Sequence, residues 1–260
     1  MKCMVFIILL PAYTMNVMAN TIVRDSLYNK NIIETSQQLL LAAKTHERTD
    51  SLVKAVDEIS EKTLSKQLPN DAYKKAFWIN IYNAFTQIIL SKNPDKYKNR
   101  GSFFGDKQIR IAGQSLSLDD VEHGILRHSK VKWSLGYLNK FFPSAFEKKQ
   151  RVDKVDYRIH FTLNCGAKSC PPIAFHSPEQ LGKQLNIATK VYLQGEAEYN
   201  EKNNYVALPA IMGWFRGDFG GKKKMIDLLH TLQIVPKDKN PSIRFKNYNW
   251  NLFLENYTTI

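Results

Sequence analysis

Ala76-Phe77-Trp78-Ile79-Asn80-Ile81-Tyr82-Asn83-Ala84 lies inside a longer run, Asp71 to Leu90, whose reading decides how the chain folds. Apolar residues recur there at helical spacing and go nearly all the way round. The run is therefore predicted to be a central, buried helix rather than one laid on a surface. Asn70 is placed to cap it, and Asn93-Pro94 to stop it. Asn80 and Asn83 are three apart and share one face. Amides buried in such a helix need partners. Either they tie loops to the helix or they reach toward a bound substrate.

Working outward, Ser26 to Lys44 and Ser51 to Leu64 repeat the helical pattern upstream. Downstream, Ile109 and Ile111 alternate with polar neighbours and Gly113 supplies a turn, which predicts a hairpin reaching Leu116. Ser117 opens a helix over residues 118–127, with Asp120 where a capping box places its acid. Asp156 to Leu163 reads as a strand with Ile159, Phe161 and Leu163 on one face and His160 and Thr162 on the other. A further helix is expected from Ser177-Pro178-Glu179 to about Tyr192. A strand is expected at Tyr205 to Leu208, helices at Ile211 to Phe215 and Met225 to Leu232, and extended chain at Ile243 to Phe245 and Tyr248 to Phe253. Helices lead the first half and short antiparallel strands the second. The class is α+β, and no linker divides the chain into separate domains.

The 260 residues are ample for one buried core. Met1-Lys2, the apolar run Cys3 to Leu10 and the small residue Ala19 read as a signal peptide over residues 1–19, leaving residues 20–260 as a single secreted or periplasmic domain. That cut removes Lys2 and Cys3, so the basic excess (37 Lys+Arg against 24 Asp+Glu) survives and one cysteine pair remains. The lysines spread over 92–98, 130–140, 148–154 and 222–224 without an aromatic recognition pattern, so no nucleic-acid partner is expected. Peripheral contact with an anionic envelope surface fits the charge. Cys165 and Cys170 are too poorly spaced for zinc, and neither a metal nor a cofactor is expected.

Four clusters can carry chemistry. Asn80 and Asn83 are the first. In the second, Glu122-His123 precedes Arg127; the imidazole suits a general base, and Glu122 could orient an imidazole or anchor Arg127. Neighbouring residues of a helix do not share a face, so a cleft would have to cross the helix end. The third is Arg158 to Pro172, where Cys165 enters a Gly/Ser loop suited to a nucleophile. Lys168 or an imidazole could lower its pKa, while nearby backbone N–H groups could make an oxyanion hole. Alternatively, Cys165 and Cys170 close a small disulfide or are simply buried. The fourth is Gly213 to Gly221, where Trp214 can wall a pocket and Arg216 and Asp218 can pair.

Together with Leu116 to Arg127, Arg158 to Pro172, Trp214 to Phe219 and Tyr248-Asn249-Trp250-Asn251, the helix motif resembles the domain of unknown function 547 family of exported bacterial proteins, over about residues 50–254. The resemblance implies a core similar to the papain-like and transglutaminase-like cysteine hydrolases. It implies Cys165 as nucleophile, His123 as base and Glu122 as the orienting acid, with His160 as an alternative base. Asn80, Asn83, Asn164 and Trp214 are the expected substrate contacts. Peptide or cell-envelope material is the substrate class suggested by the compartment. Two functions stand against each other: a cysteine-dependent hydrolase or acyltransferase acting on a peptide, amide or ester bond, and a noncatalytic envelope binding protein with a Cys165–Cys170 disulfide.

Overall fold

A computed structural model describes residues 31–259, of which residues 32–259 belong to one α+β unit. The signal-peptide reading falls on residues outside that range. Helices α1 (Ile32–Lys44), α2 (Asp50–Glu58) and α3 (Glu61–Gln67) lead into α4 (Asp71–Lys92). The side-chain oxygen of Asn70 accepts from the N–H groups of Ala72 and Tyr73, as expected of the cap. The centre of α4 is buried on every side, with Phe77, Trp78, Ile79 and Ile81 inaccessible to solvent. α1 packs along α4, and Trp78 meets Phe77 and Phe146 edge to face.

A short 3-10 turn, Pro94–Lys98, and α5 (Arg100–Gly105) precede the hairpin of β1 (Ile109–Ile111) and β2 (Gln114–Leu116), which pairs Ile109 with Leu116. Ser117 and Asp120 then cap reciprocally: the Ser117 N–H donates to Asp120 Oδ2, and the Asp120 N–H to Ser117 Oγ. The helix they start is a π-helical turn, Asp120–Leu126, rather than the α-helix expected over 118–127. The Arg127 N–H reaches back five residues to the Glu122 carbonyl. π turns of this kind concentrate at functional sites.

The chain continues through α6 (Ala145–Gln150) to Tyr157–Phe161, which is a 3-10 turn and not the expected strand. The Asp156 carboxylate accepts the Arg158 N–H, and the Thr162 hydroxyl donates to the Ile159 carbonyl; these local bonds close the turn. Both sides of the segment are enclosed, so Ile159, His160, Phe161 and Thr162 are all buried and the alternation of residue types carried no two-faced meaning. Helix α7 spans Leu181–Glu196, later at both ends than expected. Strands β3 (Glu198–Asn200) and β4 (Tyr205–Leu208) are antiparallel, whereas β5 (Ser242–Phe245) lies parallel to β4, so the strands are mixed rather than purely antiparallel. Helices α8 (Ala210–Trp214) and α9 (Gly221–Thr231) lie between β4 and β5 in sequence.

Two apolar clusters result, one around α4 and one around β4, α8 and α9. Tyr248 packs against both. Among the described residues no helix is long and apolar enough to cross a membrane.

Candidate active site

A cleft of about 330 Å3 takes its lining from both clusters: Tyr82 and Leu163 on one side, Ile211 and Phe215 on the other. Cys165, His123, His160, Glu122 and Asp119 supply polar groups to an otherwise aromatic and aliphatic wall.

The loop bearing Cys165 is held from behind by amides. Asn83 accepts the Asn164 N–H at 2.9 Å and donates to the Thr162 carbonyl at 2.9 Å. Asn164 donates to the Pro171 carbonyl and accepts the Gly166 N–H, both at 2.9 Å. Asn80 does the same for a neighbouring segment, accepting the His176 N–H and donating to its carbonyl. All three asparagines are fully buried and none lines the cleft; these hydrogen bonds go to the neighbouring backbone. Trp214 does line it, stacked on Trp250 at 5.5 Å between centroids. Gly166 has φ +85°, and a Cβ there would come within 2.8 Å of Leu90, so only glycine lets the loop pass over α4.

Cys165 and Cys170 place their sulfurs 2.7 Å apart, and the Tyr248 hydroxyl lies 3.3 and 3.1 Å from them. The Cys165 thiol is held below its ordinary pKa chiefly by the Cys170 hydrogen bond, against the cost of burial, with help from Tyr248 and the Ala167 N–H. Burial, together with Cys165, pushes Cys170 well up. Burial likewise raises Tyr248. Of the pair, Cys165 is the thiol that the surroundings favour as thiolate, with Cys170 and Tyr248 within hydrogen-bond reach of its sulfur. Lys168, a candidate for lowering that pKa, is exposed and takes no part.

A continuous polar chain runs across the floor of the site. Arg127 is inaccessible to solvent and lies 2.8 Å from His123 Nδ1. A guanidinium only donates, so Nδ1 accepts and the ring proton of His123 sits on Nε2, 3.4 Å from Asp119 Oδ1. Arg127 Nε donates to Asp218 Oδ2 at 2.6 Å, and His160 Nε2 lies 2.9 Å from the same oxygen. Burial opposes ionisation of Asp218, but the His160 and Arg127 hydrogen bonds outweigh it and hold the carboxyl below its ordinary value. Burial lowers His160 against the pull of Asp218, so the ring is neutral at pH 7. Its Nε2–H donates to the Asp218 carboxylate, and Nδ1 carries no hydrogen bond among the described residues. Phe215 stacks on His160 at 4.1 Å and 6°. The Arg127 guanidinium lies over the same ring.

The π turn resolves the problem of adjacent residues. Glu122 and His123 both line the cleft, with Glu122 Oε1 3.8 Å from His123 Nδ1. Glu122 accepts from the Tyr82 hydroxyl at 3.2 Å and does not anchor Arg127. Nor does Arg216 pair with Asp218; its Nε donates to the Gly213 carbonyl. Cys165 Sγ hydrogen-bonds to neither His123 nor His160. The reading of residues in isolation missed Asp218 as the acid that orients His160, and Tyr248 as the hydroxyl within hydrogen-bond reach of both sulfurs. The signal available was the recurrence of Asp and Tyr within the aromatic segments 214–219 and 248–250.

Gly136 (φ +90°) presses against Asp218: a Cβ would stand 2.4 Å from its Oδ1 and 2.9 Å from its backbone nitrogen. Gly136→Ala is therefore expected to lower stability by about 1–3 kcal/mol in urea unfolding. A midpoint equal to the parent's would mean that the loop yields freely.

Residues 65–193 match the sequence model of the family described as "Protein of unknown function, DUF547". The match includes His123, His160, Cys165 and Cys170 but not Trp214, Asp218 or Tyr248. No curated protein and no solved structure matches the chain.

Proposed function

The chain carries a DUF547 domain over residues 65–193, and on that premise we propose that the cleft is the active site of a thiol-dependent hydrolase or acyltransferase acting on an amide or ester carbonyl. The observation that carries this reading is a thiol with a lowered pKa sharing one cleft with a neutral imidazole oriented by a buried carboxylate. Nucleophile, base and orienting acid are the three parts that such chemistry requires.

His160 is favoured over His123 as the base. The acceptor nitrogen of His123 is occupied by Arg127, whereas His160 keeps a lone pair at Nδ1. In this scheme Cys165 leaves Cys170 when substrate enters, and its proton passes to His160 Nδ1. The sulfur then bonds to the carbonyl carbon while the C=O electron pair moves onto oxygen. Collapse of that intermediate expels the amine or alcohol, which takes the proton from His160. Water or a second nucleophile then releases the acyl group from sulfur. The aromatic walls favour an apolar group on the substrate. Export and envelope or peptide substrates belong to the same proposal and rest on the N-terminal segment and the basic charge.

Two substitutions test it against a panel of activated esters and peptide amides. Cys165→Ala should abolish both turnover and the acyl-enzyme mass, and His160→Gln should reduce turnover about 10²–10⁴-fold. Acyl transfer undiminished in Cys165→Ala would sink the reading. A second reading draws on the 2.7 Å approach of the two sulfurs: a binding protein whose Cys165–Cys170 disulfide is the resting state. Exchange with an external disulfide would form that bond, passing two electrons and two protons to the partner. Mass measurement after alkylation without reductant separates the two readings. For the chain cut after residue 19, which has lost Cys3, two alkyl groups favour the thiol enzyme; an unalkylated chain two hydrogens lighter favours the disulfide.

A further inference from the structure

We propose that residues 130–142 form a membrane-docking loop that seats the protein on an anionic lipid surface. The loop is ordered by its own polar atoms. The Val131 N–H donates to the Leu138 carbonyl, the Lys140 N–H to the Ser129 carbonyl, and the Ser134 hydroxyl to the Val131 carbonyl. Its turn is pinned where the Gly217 N–H donates to the Leu135 carbonyl. His128, Ser129 and Leu135 all adopt positive φ, a strained conformation for residues other than glycine. With the backbone bonded inward, the large side chains point out: Trp133 is 77% exposed, Phe141 91% and Phe142 97%, with Tyr137 and Leu138 half exposed beside them.

Apolar side chains this exposed and this concentrated mark an interaction surface. The chemistry around them chooses the partner. From His123 to Phe146 the sequence contains no carboxylate, and with Arg127 buried against Asp218 its outward cations are Lys130, Lys132 and Lys140. Lys132 is paired with Asp119, and Lys140 with Glu147, whereas Lys130 and the exposed Lys148 carry no ion pair among the described residues. Exposed tryptophan, tyrosine and phenylalanine beside lysines is the composition that enters the headgroup region of a bilayer while the cations meet anionic lipid. Trp133 and Leu135 also line the cleft, so docking brings its mouth to the lipid surface. The proposal stands on the loop alone and does not depend on the chemistry of Cys165.

Flotation with phosphatidylglycerol–phosphatidylcholine vesicles tests it. The protein should float with vesicles rich in phosphatidylglycerol and bind pure phosphatidylcholine at least ten-fold more weakly. Phe141→Ser combined with Phe142→Ser should cut binding to the anionic vesicles by ten-fold or more, with an unchanged unfolding midpoint because both rings are already in solvent. Lys130→Gln and Lys148→Gln should each weaken it about five-fold. Vesicles carrying brominated acyl chains should quench Trp133, as judged by the quenching lost in Trp133→Phe. Failure to float with anionic vesicles would overturn the proposal. So would a concentration-dependent dimer that the double serine substitution dissolves, since the patch would then be covered by a second copy of the chain.

Discussion

Asp218→Ala is expected to destabilise the protein by about 3–5 kcal/mol, because it strands the buried Arg127 guanidinium without its counterion. Both side chains are inaccessible to solvent, so water cannot replace the lost partner. His160 loses its acceptor at the same time. The pair as a whole contributes much less than this, since bringing two charges out of water offsets most of their attraction. Arg127→Met with Asp218→Leu should therefore cost less than Asp218→Ala alone, and the comparison is made by urea unfolding at pH 7. A single-substitution cost under about 1 kcal/mol would contradict the assignment of a charged, enclosed pair. The same network makes stability fall in acid. Asp218 titrates below its unfolded value, so its contribution is present above pH 3.8 and is lost as pH falls through its folded pKa. His160 is also depressed, from 6.5; its neutral form favours folding above that value, and the advantage drains away as pH drops toward its folded pKa. Both act in the same direction.

Asn83→Ala should be comparably damaging, at roughly 2–6 kcal/mol, since it leaves the Asn164 N–H and the Thr162 carbonyl buried and unpaired at about 1–3 kcal/mol each. Alanine cannot restore either bond, and the segment is too enclosed for bulk water to do so. Asn83→Asp keeps an acceptor for Asn164 but offers Thr162 no donor when ionised. Hydrogen exchange at the Asn164 amide should accelerate in Asn83→Ala and remain closer to the parent's rate in Asn83→Asp. Exchange unchanged in the alanine variant would mean that the Cys165 loop is held by contacts other than this amide.

The elements legible in the sequence were those with local punctuation. Helix α4 has Asn70 to start it and Pro94 to stop it, and the β1–β2 hairpin has Gly113. The Ser117–Asp120 cap was legible for the same reason. The segment 156–163 was not, because five alternating residue types suit a strand, and the Asp156 side chain that closes the turn leaves the alternation unchanged. The π turn was hidden similarly: nothing in Glu122-His123 announces a wider turn that lets both face one cleft.

The sequence by itself determined a buried central helix, a basic chain, two thiols five residues apart and the candidate residues His123, His160 and Cys165. Local hydrogen bonding and the pattern of apolar residues suffice for those. Only the tertiary structure decided what each candidate touches. Asp218 meets Arg127 and His160 across 91 and 58 residues of chain, and Tyr248 reaches Cys165 across 83. Trp133, Phe141 and Phe142 are large and apolar, yet lie in solvent. Pairing over such distances, and burial itself, depend on which surfaces the packed elements leave facing one another, and residue spacing carries no record of that.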